Sequence, residues 1–198
     1  MTELSYDFRA SLLRKEESYR LTGDALIRIA KGIETSIPFS EIRAIRTYRS
    51  PGMQMWTGAA VPGFDRCVIR RRQGGAIALS SNHFVGLGHF ENRSASYAPF
   101  VEALIGRVAA GNPATIFRSG MPIALWSLWA MIVASTVIIA PLAVLTIIVE
   151  MVHDGHIDTG LIFSAFILLA IFFQFFSYIR MLRRNWPRRF DPRIAPSA

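Results

Sequence analysis

YRLTGDALIRIAKGIETSIPFSEIRAI, Tyr19 to Ile45, is the stretch from which the fold of this chain is read. Tyr19 to Ala30 is rich in strand formers, Lys31-Gly32 supplies a two-residue turn, and IETSIPF returns as a second strand. Ile42 to Tyr48 follows as a third. Further along, Cys67 to Arg72 and Ala76 to Ser80 flank the turn residues Gly74-Gly75. Ser5 to Leu13 and the segment around His83 to Phe90 are predicted as additional strands. SPGMQMWTGAAVPGF, Ser50 to Phe64, holds three Gly and two Pro and is predicted to be a long loop. Phe100, Val101, Leu104, Ile105 and Val108 then fall on one helical stripe. Ser96 is the expected N-cap, and Gly111 with Pro113 ends the helix. Short strands followed by one amphipathic helix predict an antiparallel sheet or small barrel.

This order, and the local sequence of Tyr19 to Ile45, resembles the bacterial pleckstrin-homology-like family. The resemblance rests on the Tyr-x-Leu-Thr opening, the apolar strand, the glycine turn and the Ile-Pro-Phe-Ser-Glu-Ile step into the next strand. It runs more loosely over residues 5–111. It implies an α+β fold: a partly open barrel of about seven strands capped by a C-terminal helix. It also implies binding or assembly rather than catalysis, and it supplies no ligand, since fold does not fix function.

The 198-residue chain carries a net charge of +8, with 52% hydrophobic and 18% charged residues. A disordered chain is excluded by that composition. A lone Cys67 excludes an intrachain disulfide and a cysteine-based zinc cluster. Charge is unevenly placed: +6 over residues 1–118, −3 from Ser119 to Ile179, and +5 over the remaining tail. Runs of 31 and 21 uncharged residues lie between Arg118 and Glu150 and between Asp158 and Arg180. About 20 apolar residues suffice to cross a bilayer. The runs therefore predict a transmembrane hairpin at 119–182, with spans at about 123–149 and 161–179 and an extracytoplasmic loop at 150–160. A cytoplasmic domain, 1–118, precedes it and a basic cytoplasmic tail, 183–198, follows. Arg118, Arg180, Arg183, Arg184, Arg188 and Arg189 flank the spans, whereas the loop has no Arg or Lys. By the positive-inside rule both termini are expected in the cytoplasm, at a bacterial inner membrane. Trp126, Trp129, Tyr178 and Trp186 fit an interfacial belt, and no cleavable signal peptide is expected.

Six arginines, Arg43, Arg46, Arg49, Arg70, Arg71 and Arg72, form the candidate binding surface, for anionic lipid headgroups or a partner protein. A solvated strand edge that discourages pairing accounts for the same residues. His153, Asp154, His156 and Asp158 are weak metal candidates, and a polar turn explains them as well. His83 and His89, six apart, would share a strand face. Motifs for phosphate loops, nucleophile elbows, zinc proteases and dinucleotides are absent from the sequence. No cofactor, no catalytic residue and no nucleic-acid partner is expected. The sequence therefore predicts a membrane-anchored, non-enzymatic binding module that engages a partner protein or anionic phospholipid, with a homo-oligomer possible. A regulatory subunit of an oligomeric membrane transporter or channel is the alternative.

Overall fold

Lys31 and Gly32 both take positive φ, 55° and 79°, the left-handed pair that a tight hairpin needs. They join β3 (Ala25–Ala30) to β4 (Ile33–Pro38), and β1 (Leu4–Phe8) and β2 (Glu17–Leu21) complete an antiparallel sheet in the order β1-β2-β3-β4. The computed structural model describes residues 4–50, 53–54, 60–61, 63–86, 89–154, 176 and 178–192. A 3-10 turn, Phe39–Glu41, carries the chain from this sheet into β5 (Ile42–Ser50). The short pair β6 (Met53–Gln54) and β7 (Ala60–Val61) lies within the segment predicted as loop. β8 (Phe64–Arg71) and β9 (Ala76–Ser80) then build outward from β5. β10 (Asn82–Gly86) and β11 (His89–Asn92) form a separate hairpin, and α1 (Ser94–Gly111) follows. After α1, β12 (Ile116–Ser119) returns parallel to β5, and β13 (Arg188–Arg189) adds to its far side. The second large sheet thus has the order β13-β12-β5-β8-β9.

Both large sheets and α1 share one core. Phe100, Leu104 and Val108 of α1 are fully buried against Leu21, Leu26, Ile45, Ile69 and Leu79 of the strands. Tyr6 meets Phe100 and Tyr97, each at 5.7 Å between ring centres. Each large apolar side chain buried this way contributes about 1.5–3 kcal/mol. Asn112, just past α1, donates through Nδ2 to the carbonyls of Phe39 (2.8 Å) and Ile42 (3.0 Å), fixing the helix end to the crossing between the sheets. Ile42 and Ile45 are both buried although three apart, because a bulge between Ile42 and Ala44 resets the alternation.

The chain divides into two units: Met1–Met121 with Pro187–Ala198, and Pro122–Trp186. Within the second unit, α2 (Ile123–Asp154) begins beside a helical segment at 178–184. Trp126 Nε1 donates to the Leu182 carbonyl at 3.1 Å. The Trp126 ring meets Trp186 at 4.7 Å, and Trp129 meets Tyr178 at 5.3 Å. The four aromatics assigned to an interfacial belt thus pack on one another.

Two parts of the expected fold are corrected. In place of about seven strands in one partly open barrel, the described residues form sheets of four and five strands and two two-stranded pairs. The additional strands are short or pair with distant segments, so local sequence did not reveal them. The transmembrane hairpin is the second correction: among the described residues no helix is long and apolar enough to cross a membrane. Most of the second expected span, 161–175, lies outside the described residues. The two-span membrane partnership and the multi-pass inner-membrane location with both termini cytoplasmic fall with it.

Candidate anion-binding face

Strand alternation decides which arginines share a surface. Ile45 of β5, Cys67 and Ile69 of β8 and Phe117 of β12 are buried, so their odd-numbered face is the core side. Arg46, Arg66, Arg70 and Arg118 therefore project from the opposite face. The register sets Arg118 directly opposite Arg46 on one side and Arg189 on the other. With neighbouring strands about 4.8 Å apart, these three guanidinium stems form one row across β5, β12 and β13. Arg66 lies opposite Tyr48, and Arg70 opposite Ala44, on the same face. Val68 and Ala78 continue the Arg46 row as small apolar neighbours.

Arg46 is the anchored member. Its Nη1 donates to the carbonyls of Met121 (2.9 Å) and Gly120 (3.2 Å), which hold the guanidinium down onto the sheet. Partial burial lowers its pKa, and repulsion from Arg118 and then Arg70 lowers it further. Guanidinium stays protonated at any ordinary pH, so this repulsion is stored rather than relieved. Among the described residues, no carboxylate lies within salt-bridge distance of Arg66, Arg70, Arg118 or Arg189.

Of the six arginines proposed from sequence, the structure brings only Arg46 and Arg70 onto this face. Arg49 lies on the other side of β5, opposite Asp65, with Nη1 4.0 Å from its carboxylate. Arg43 sits exposed at the bulge. Arg71 folds back over its own turn. Its Nε is 3.4 Å from the Gly75 carbonyl, and its Nη2 lies 2.6 Å from where a Cβ on Gly74 would stand. At Gly74, φ is +90°, and this backbone conformation is what calls for glycine there, since the Arg71 guanidinium can swing aside. Arg72 is exposed and donates its backbone N–H to the Glu41 carbonyl. Arg66 went unnoticed, although its parity with buried Cys67 and Ile69 marks it as outward. Arg118 and Arg189, first read as topology signals, join the face only through long-range pairing.

The chain matches no family model, no curated protein and no solved structure. The function therefore rests on the site itself.

The other candidates separate cleanly. His156 and Asp158 lie outside the described residues, as do the side chains of His153 and Asp154 at the end of α2. Among the described residues, no group of His, Cys, Asp and Glu is placed to hold a metal. His83 and His89 stand on two different strands, β10 and β11, rather than on one. Cys67 is buried, and burial pushes its thiol up to about 12, which keeps it protonated and unreactive. Arg180, Arg183 and Arg184 are exposed on the 178–184 helical segment.

Proposed function

We propose that this chain is a non-enzymatic binding module whose five-stranded sheet engages an acidic segment of a partner protein. One observation carries the reading: five arginines share a sheet face, and none of them has a carboxylate within salt-bridge distance among the described residues. Like charges placed directly opposite across strands destabilise a sheet by roughly 0.2–1 kcal/mol a pair. A partner that brings carboxylates relieves that repulsion and forms forked guanidinium–carboxylate bonds, for which arginine is better suited than lysine. None of the exposed large apolar side chains in the described residues belongs to this face, so it has no wedge for entering a lipid headgroup layer. The resemblance of Tyr19 to Ile45 to bacterial pleckstrin-homology-like sequences is part of the same reading.

The test is fluorescence anisotropy of the full chain against a labelled polyglutamate peptide across a salt series. Binding that weakens as salt rises, and falls roughly tenfold or more in Arg66/Arg70/Arg118→Gln, is expected. Unchanged binding in that variant overturns the proposal. So does tighter, variant-sensitive binding to phosphatidylglycerol vesicles or to a single-stranded oligonucleotide than to the peptide.

A further inference from the structure

A second site lies away from the arginine face, where the end of β1 meets β10. Arg9, Lys15, Glu16, His83, Phe84 and Val85 line a cavity of about 400 Å³ there, within the size range of small-ligand sites. Two hydrogen bonds fix its back wall. The Arg9 backbone N–H donates to His83 Nδ1 at 3.1 Å, and the Phe84 N–H donates to the Arg9 carbonyl at 2.8 Å.

The first of these bonds sets the chemistry of the imidazole. An Nδ1 that accepts a hydrogen bond carries no proton, so the neutral ring holds its proton on Nε2. The ring is 12% exposed, and the Nε2–H has no partner among the described residues. A fixed donor is thereby presented at the cavity wall.

Charge in the cavity is biased toward an anion. Glu16, the carboxylate in the lining, faces two cationic or protonatable groups, 3.6 Å from Arg93 Nη1 and 3.9 Å from His83 Nδ1, so its charge is offset within the wall. The Arg9 guanidinium donates to the carbonyls of Ser11, Leu12 and Arg14, which shapes the β1–β2 loop and keeps a fixed positive charge 5.5 Å above the Phe84 ring. Lys15 is exposed and has no carboxylate partner among the described residues, so its ammonium is free to pair with a ligand. Phe84 and the exposed Val85 supply an apolar wall.

We infer that this cavity binds a small organic carboxylate with a short apolar or aromatic body. The carboxylate pairs with Lys15 and accepts from His83 Nε2–H, and the body lies against Phe84 and Val85.

The experiment titrates the isotope-labelled full chain with benzoate in the millimolar range, following the Arg9 amide and the His83 ring nitrogens by NMR. Saturable shifts at both are expected. Lys15→Gln, an exposed change that leaves the fold intact, should weaken binding about tenfold, and His83→Phe should abolish the ring contact. Benzamide, with the same shape and no charge, should bind at least tenfold more weakly. Absence of saturable shifts with benzoate overturns the assignment. Equal affinity for benzamide, or an unchanged affinity in Lys15→Gln, overturns the anion requirement. Saturation of the same signals by inorganic phosphate but not by benzoate overturns the apolar part.

Discussion

The two large sheets of this protein treat their arginines in opposite ways. On the four-stranded sheet, Arg28 meets Glu17 in a forked pair, with Nε 2.9 Å and Nη2 2.8 Å from the two carboxylate oxygens. Arg20 reaches Glu34 at 3.4 Å across the same sheet. On the five-stranded sheet the outward arginines face one another, and Arg46 has carbonyls in place of carboxylates. Internal compensation, by one pair on each face, makes the charges of the first sheet stabilising. On the outward face of the second, no such pair is present among the described residues, and the positive charge stays uncompensated by the chain itself. That asymmetry is why the second sheet, rather than the chain's total charge, is the functional candidate.

The largest effect is expected where the two sheets are joined. Asn112→Ala removes the bonds to the Phe39 and Ile42 carbonyls and leaves buried acceptors short of donors. A loss of about 2–4 kcal/mol in urea unfolding is expected. A smaller loss would mean that the junction is held by packing alone.

Glu17→Gln tests the compensated sheet. Glu17 also accepts from the Tyr19 hydroxyl at 2.5 Å, so its removal uncouples both Arg28 and a buried phenol. A destabilisation of about 1–2 kcal/mol is expected by the same measurement.

Acid should expose the same pair. Burial raises the Glu17 pKa, but the hydrogen bonds from Arg28 and Tyr19 and the charges of Arg28 and Arg14 outweigh it, and the carboxyl is held below its ordinary 4.5. A depressed carboxyl contributes stability that is present above the unfolded value and lost as pH falls through the folded one. Unfolding free energy should therefore drop below about pH 4.5 in the parent, and less steeply in Glu17→Gln. Parallel pH profiles would show that Glu17 does not carry the acid response.

The smallest effect has the opposite sign. Arg118→Gln takes the middle charge from the row Arg46–Arg118–Arg189 and should stabilise the free protein by about 0.2–1 kcal/mol. The gain should shrink in high salt, where the repulsion is already screened. Destabilisation would show that the arginines are compensated after all, and would erase the contrast between the sheets.

Much of the first unit was legible in sequence because its signals are local. Lys31-Gly32 announces a hairpin through its glycine, which takes φ 79° at no steric cost, while Lys31 is drawn to φ 55° by the same turn. The Phe100–Leu104–Val108 stripe announces a helix with one buried face. The candidate site was only half legible. Clustering arginines by proximity in sequence gathered Arg43, Arg49, Arg71 and Arg72 with Arg46 and Arg70, although alternation, the bulge and the Gly74 turn send them elsewhere. The uncharged runs were misread for a related reason: hydropathy counts residues without knowing what they pack against, and Trp126, Trp129, Tyr178 and Trp186 find one another.

By itself, the sequence determined the alternating strands, the glycine turns and the closing helix, because each depends on neighbours a few residues apart. Tertiary structure alone decided that Arg118 and Arg189 stand beside Arg46, and that a histidine from β10 meets the backbone of Arg9. Strand partners are chosen by the whole core at once, so which distant charges become neighbours is a property of the fold and not of any local segment.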